Sequence, residues 1–362
     1  MKKPKKLLII GPFPEPTTGV SLANKVVKEI LQESAIFSVG VINTSYTRFD
    51  EAIGKFSVHK LLFNLSFFPK VFRIPRYDSI YITPGQTFFG IVKYALFILY
   101  ARLLKKELII HVHGNHLGKE YETLSGIKKR LFKSLVSKFS KGIVLSESLK
   151  NNLTPFLAQE AIYVLPNFAQ EYLIDETIQV NNEDLRIIYL SNLMEGKGIF
   201  DLLDALVQLE KKNISYQAKI AGAIDKPLQE KINTYFKSLK YTQHLGIVQG
   251  DRKKELLHWG NTFVLPTYYK MEGQPIAILE AMATKNVIIT TKHAGIPDVI
   301  VENKNGLFVE KRNASDIYDK LMFLNNNNTT IQDISNYNYE YFKANFTKDQ
   351  FKKCLLEILK AP

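Results

Sequence analysis

Cysteine is nearly absent. Cys354 stands alone among 362 residues, which excludes an intrachain disulfide and agrees with a reducing compartment. Long apolar runs are missing too. The most membrane-like stretch, Phe88–Leu104, is interrupted by Lys93 and Arg102, and its longest unbroken run is Tyr94–Ala101. A spanning helix needs roughly 20 such residues, so Phe88–Leu104 reads as a helix packed on a sheet. The basic start Met1-Lys-Lys-Pro-Lys-Lys meets only Leu7–Ile10 before Gly11-Pro-Phe-Pro ends the apolar run, too early for an export signal. A cytoplasmic chain that does not cross a membrane is expected. There is no G-x-G-x-x-G dinucleotide fingerprint and no repeat at solenoid spacing.

Acidic residues are scarce in the first half. Residues 1–160 hold 24 basic and 11 acidic side chains, whereas 161–362 hold 24 of each, so the net charge of +13 sits entirely at the front. Such a field suits anionic lipid, phosphorylated acceptors or nucleic acid; solvated lysines on outer helix faces would give the same count. No nucleic-acid motif accompanies the charge. Aromatics crowd Phe56–Tyr100, among them Phe67, Phe68, Phe72, Tyr77, Tyr81, Phe88 and Phe89. They read as core, or as an interfacial subset beside Lys55, Lys60, Lys70, Arg73 and Arg76. In the second case the protein would sit peripherally on the inner face of the membrane.

With 46% apolar and 23% charged residues, the composition is that of a globular protein longer than one core supports. Short β-branched runs alternate with helical patterns. Strands are expected at Lys6–Gly11, Ser38–Asn43, Ser79–Thr83, Leu108–Gly114, Gly142–Ser146 and Ile162–Pro166. A second set lies at Arg186–Ser191, Ala218–Gly222, Gln243–Val248, Thr262–Pro266, Val287–Thr291 and Gly306–Val309. Helical spacing marks Leu22–Leu31, Ile127–Phe139, Phe200–Lys211, Pro275–Ala283, Ser315–Leu324 and Asp349–Leu359. The pattern is α/β: two doubly wound, Rossmann-like domains with parallel sheets, facing a central cleft. The aperiodic, acidic stretch Asn167–Asp184 divides them, giving 1–167, 168–340 and a C-terminal helix in 341–362 that packs back on the first domain. Asn325–Thr330 reads as a surface loop.

Four constellations can carry chemistry. After the strand Thr262–Pro266, a loop holding Glu272, Gly273 and Gln274 leads to Pro275 and Ile276 at the start of a helix. The free amides and dipole of that turn suit an anion, and Gly273 lets a ligand approach the backbone. Glu280 in the helix and Glu272 ahead of it are acceptors for hydroxyls; two glutamates at this spacing are otherwise an ordinary solvated pair. Ser191-Asn192-Leu-Met-Glu-Gly-Lys197-Gly198 ends another strand and offers Lys197 to phosphate oxygens. Gly11–Ser21 carries Gly19, with the amides of Val20 and Ser21 as further contacts, or a simple turn. His111-Val-His113-Gly-Asn-His116 sends His111 and His113 to one face; zinc comes to mind, but no Cys or acidic residue completes a ligand set.

Glu272–Ala283 (EGQPIAILEAMA) resembles the signature of glycosyltransferase family 4, the retaining enzymes with the two-domain B-type fold. Ala294-Gly-Ile-Pro-Asp298 and Asn305-Gly-Leu-Phe308 are similar to the blocks that follow it. Leu165-Pro-Asn-Phe168 resembles the interdomain entry, and Leu245-Gly-Ile247-Val248 the strand end that receives the base. The likeness is densest over 160–310. It implies a hexosyltransferase-type enzyme that moves a sugar, with retention, from a nucleoside-diphosphate sugar to a hydroxyl of a glycan or lipid-linked acceptor in cell-surface polysaccharide or glycoconjugate synthesis. No cofactor and no metal would be required.

By the same resemblance the donor lies mainly on the C-terminal domain. His113 lies by the transferred sugar and His116 meets the acceptor, while His111 is a packed strand residue. Lys197 holds the diphosphate, with His113 and Glu272 completing the catalytic set. Where the family has an arginine this chain has Asn192, so a cation is missing or supplied elsewhere, for instance by Lys226 or Arg252. The family's paired glycines are Gly19-Val20 here. Two other readings stay open: a nucleotide-sugar epimerase on the same fold, and a basic, non-catalytic binding module.

Overall fold

The computed structural model describes residues 4–15, 18–45, 67–177, 180 and 184–361. Lys55, Lys60, the beginning of the aromatic stretch and most of Thr177–Glu183 lie outside the described residues. The chain divides into two compact units: Met1–Pro166 together with Lys352–Pro362, and Asn167–Phe351.

Unit 1 is built on β1 (Lys5–Gly11), β2 (Phe37–Asn43), β3 (Ser79–Ile82), β4 (Glu107–Val112), β5 (Lys141–Val144) and β6 (Ile162–Val164), in the order β2-β1-β3-β4-β5-β6. Every pairing is parallel, with β1 lying between β2 and β3. Leu7–Ile10 and Ile80–Ile82 are at most 1% exposed. Such near-continuous apolar runs are what a strand covered on both faces requires, and each fully buried Leu or Ile adds about 1.5–3 kcal/mol. The helices are α1 (Gly19–Glu33), α2 (Phe88–Val92), α3 (Ala95–Leu103), α4 (Leu117–Thr123) and α5 (Gly126–Val136), with a 3-10 segment at Phe68–Arg76. The single helix expected over Phe88–Leu104 is broken at Lys93–Tyr94, where Lys93 caps α2. Phe67 and Tyr81 are core, but Phe68, Phe72 and Phe89 are exposed.

Unit 2 carries β7 (Arg186–Leu190), β8 (Gln217–Ala221), β9 (Thr242–Gly246), β10 (Thr262–Leu265), β11 (Val287–Thr291) and β12 (Gly306–Val309), in the order β12-β11-β10-β7-β8-β9. Its helices are α6 (Ile199–Lys211), α7 (Gln229–Ser238), α8 (Gly250–Trp259), α9 (Ile276–Ala283), α10 (Ala314–Asn325) and α11 (Asn328–Asn345); α12 (Lys348–Lys360) closes the chain. The loop expected over Asn325–Thr330 shrinks to Asn326–Asn327, because α11 begins at Asn328 and buries Ile331 and Ile334. Asparagine is a poor helix interior residue but a good terminal one. Lys141 ties α12 to unit 1 by donating from its ammonium to the Ala361 carbonyl.

Both sheets reverse direction once. In unit 1 the chain steps from β1 to β2 and returns to β3; in unit 2 it runs β7-β8-β9 and restarts on the other side of β7 with β10. Loops that leave the carboxyl ends of strands on either side of such a reversal open a crevice, the usual ligand position in doubly wound sheets.

Candidate functional site

In unit 2 the reversal lies between β7 and β10, and the loops leaving those strands carry the charged residues. The loop after β7 ends at Gly198, which has φ +73°, caps α6 and would place a Cβ 2.3 Å from the Pro266 carbonyl. Only glycine fits there. The preceding 3-10 turn Glu195–Lys197 aims Lys197 across the crevice. Its ammonium donates to Glu272 Oε2 at 2.7 Å and lies 5.1 Å from the centre of the Tyr269 ring. Glu272 Oε2 also accepts from Thr267 Oγ1 at 2.8 Å, and the Glu272 residue is 7% exposed. Lys197 and Glu272, 75 positions apart in sequence, thus form one part-buried ion pair across the reversal.

A second pair sits one turn into α9. That helix is buried almost all round, and Glu280, 5% exposed, lies among Leu279, Ala281 and Met282. Lys253 of α8 donates to Glu280 Oε1 at 2.6 Å, and its ammonium also lies 5.9 Å from the Tyr172 ring centre. Burial pushes the Glu280 carboxyl above the usual range, with the lysine pulling against it. Burial lowers the Lys253 ammonium, but Glu280 and Tyr172 outweigh it, so the lysine remains charged. An unpaired carboxylate here would be costly; the lysine offsets that cost.

The remaining expected residues divide by role. Pro275 is the N-cap of α9 with extended ψ, so the helix starts one residue later, at Ile276. Gln274 is committed to the fold: its Oε1 accepts from the Asn167 amide at 2.6 Å, and its carbonyl accepts from Asn167 Nδ2 at 2.8 Å. The carbonyl of Gly273 accepts from the Gly295 amide. Ile247 is 64% exposed, just after Gly246 at φ +66°, whereas Val248 is 7% exposed and packs into the core. Those two neighbours therefore face opposite ways. Asn192 is exposed in the β7 loop, where its carbonyl accepts from Tyr189 Oη at 3.1 Å. The Ser191 amide donates to the Ala221 carbonyl.

Lys253 is the residue that sequence reasoning missed. Arg252 is exposed on the outer side of α8, while Lys253 precedes the buried Leu256 and Leu257 by three and four positions. That spacing puts it on the inner face, a signal present in the run Arg252-Lys253-Lys254.

Unit 1 places a neutral cluster at its strand ends. His113 follows β4, and its ring lies 3.9 Å, centre to centre, from that of His111. Tyr81 Oη hydrogen-bonds His111 Nδ1. Burial lowers the His113 imidazole to about 4 and holds His111 well below its ordinary value. The Nε2 atoms of both rings are buried without a hydrogen-bond partner among the described residues. At the β1/β3 reversal, Asn24 Nδ2 donates to the Pro12 carbonyl and to Thr83 Oγ1 at 2.7 Å. Gly19 opens α1 behind the Thr18 cap. The Ser21 amide, expected as a ligand contact, is taken by Thr18 Oγ1 in a capping box. Among the described residues no three His, Cys, Asp or Glu side chains converge as a metal site.

Residues 173–341 match the model of the family described as Glycosyl transferases group 1. The uncharacterized glycosyltransferase MJ1178 of Methanocaldococcus jannaschii is 26% identical over 263 residues, covering 71% of this chain and 70% of that protein. The amylovoran biosynthesis glycosyltransferase AmsK of Erwinia amylovora is 29% identical over 130 residues, 34% of this chain and 32% of AmsK. Among solved structures, Anabaena HepE in complex with UDP superposes with a TM-score of 0.74 at 16% identity, covering 98% of this chain and 99% of HepE. At that identity the likeness is one of fold, the B-type glycosyltransferase architecture.

Proposed function

We propose that the chain is a retaining glycosyltransferase that moves a sugar from a nucleoside-diphosphate sugar to a hydroxyl of a glycan or lipid-linked acceptor during polysaccharide or glycoconjugate synthesis. The observation that carries this reading is the charged crevice of unit 2, where Lys197–Glu272 spans the strand reversal and Lys253–Glu280 joins α8 to α9. The complex of HepE with UDP and the polysaccharide role in the name of AmsK support the donor class and pathway type.

In this reading Lys197 and the amide-rich start of α9 at Ile276 meet the leaving diphosphate. Glu280 accepts from ribose hydroxyls and Glu272 from those of the sugar. The acceptor oxygen forms a bond to the anomeric carbon on the face from which the diphosphate departs. The bond between that carbon and the phosphate oxygen breaks with its electron pair, and the acceptor proton passes to the departing phosphate oxygen. His113 of unit 1, held neutral by burial, is proposed as a further catalytic group that acts without carrying charge.

Melting the protein against a panel of nucleotide sugars tests the donor assignment, because a ligand bound only by the native state raises the melting temperature. One nucleotide sugar should stabilise the wild type and fail to stabilise Glu280→Gln. An unchanged response in that variant, or none from any nucleotide sugar, would defeat the reading. Turnover of donor without acceptor, yielding an isomerised sugar, would favour an epimerase.

A further inference from the structure

Unit 1 exposes an apolar face that the donor chemistry leaves unused. The 3-10 segment Phe68–Arg76 and α3 lie side by side; their inner residues, Val71 and Ile74 on one and Phe97, Ile98 and Ala101 on the other, are buried. Their outer residues are apolar as well. Leu96, Leu99 and Leu103 recur at three and four positions along one side of α3, so this helix has no polar stripe to give to water. Phe72 and Leu103 are each 75% exposed, Leu99 46% and Leu96 45%. Together with Phe68 and Tyr100 they border a shallow groove of about 580 Å³. Scattered exposed leucines are ordinary; a contiguous patch marks an interaction site.

The rim identifies the partner. From Phe67 to Lys106 the chain has seven basic residues and a single acid, Asp78, whose Oδ2 already accepts from the Lys6 amide. Lys70, Arg76, Arg102 and Lys105 are exposed. None of the seven forms an ion pair among the described residues; Arg73 donates instead to the Val41 carbonyl at 3.0 Å and Lys106 to the Pro75 carbonyl at 3.2 Å. We infer that this face docks onto an anionic lipid bilayer, with Phe72, Leu96, Leu99 and Leu103 entering the acyl boundary and the surrounding arginines and lysines meeting lipid phosphates. An apolar centre with a cationic rim is the arrangement of an interfacial helix. A second copy of the chain fits less well, since pairing two such faces would bring like charges together. Among the described residues no helix is long and apolar enough to cross a membrane, so the attachment lies in the membrane plane.

Sedimentation of the full-length protein with vesicles tests this independently of the donor reading. Vesicles of phosphatidylcholine mixed with phosphatidylglycerol should carry the protein down at low salt, and phosphatidylcholine alone should not. Phe72→Ser/Leu103→Ser should weaken binding about tenfold or more, Arg76→Gln/Arg102→Gln should weaken it and flatten its salt dependence, and both should keep the wild-type melting temperature and nucleotide-sugar response. The inference falls if anionic vesicles leave the protein in the supernatant, or if Phe72→Ser/Leu103→Ser binds as the wild type does. It falls equally if the face proves to hold a dimer, seen by ultracentrifugation and lost in that variant.

Discussion

The two units solve the same architectural problem with opposite electrostatics. Each is a six-stranded parallel sheet with one reversal. In unit 1 the strand ends hold buried, neutral imidazoles and amide–hydroxyl contacts, with Glu120 of α4 paired to His116 at 3.4 Å, and another part-buried carboxylate is at the other edge. There Glu107, at the start of β4, accepts from Lys5 and Ser79 at 2.7 Å and from Lys141 at 2.8 Å. In unit 2 Lys197–Glu272 sits at the reversal itself, and Lys253–Glu280 joins α8 to α9, the helix that follows β10. A charge placed among strand starts serves stability; one placed at strand ends faces ligand.

The largest effect is expected from neutralising the unit 2 reversal. Lys197→Met/Glu272→Gln removes both charges together, leaving no buried carboxylate unpaired. Transfer from the nucleotide sugar should fall about 100- to 1000-fold in kcat/KM, the loss usual for a transition-state charge contact, while thermal melting shifts little. Activity within threefold of wild type would break the contrast between the units.

Next comes the Lys253–Glu280 pair. Lys253→Met strands a carboxylate that is 5% exposed, and the cost should be about 3 kcal/mol by urea unfolding. Protonation of Glu280, already favoured by burial, limits the loss. Lys253→Met/Glu280→Leu should recover most of it yet lose the nucleotide-sugar response. If the double variant is no more stable than Lys253→Met, the pair is not what holds α8 to α9.

Most strands among the described residues were legible because they are short apolar runs bounded by polar turns, although β9 (Thr-Gln-His-Leu-Gly) is not, and the periodicity needs no tertiary information. The site was legible as residue types and less so as partners. Lys197 and Glu272 were each visible as ligand groups, but their mutual bond joins positions 75 apart in sequence and depends on β7 and β10 being neighbours. Gln274 could not be separated from a ligand contact without knowing that Asn167 occupies both its carbonyls. Lys253 was hidden among consecutive basic residues until the buried face of α8 was known. The outer apolar face of α3 resembled core because sequence does not say which side of an apolar helix is covered.

A smaller effect concerns His113. A folded-state value of about 4 lies below the ordinary 6.5, so the unfolded chain takes the proton first. Stability is then lost as pH falls from about 6.5 to 4 and levels off below, by on the order of 2–3 kcal/mol for this ring. Urea midpoints at pH 7 and 4.5 should differ less in His113→Gln than in wild type. Between pH 5 and 8 the ring stays neutral and adds no step to the rate profile.

The smallest effect belongs to Glu107 and runs in a separate window. Burial raises its carboxyl, but Lys141, Lys5 and Ser79 outweigh that and hold it at about 2. A depressed carboxylate contributes above its unfolded value near 4.5 and loses that contribution as pH falls toward 2. Discounted for solvent screening, this is on the order of 1–2 kcal/mol. Acid unfolding of unit 1 should therefore proceed in two stages: a histidine stage above pH 4, and a Glu107 stage below about 4.5 that Glu107→Gln removes. In that variant transfer activity at pH 7 should stay near wild type, since the cluster lies at the strand starts. A large loss of turnover with an intact fold would erase the distinction between the two edges of the sheet.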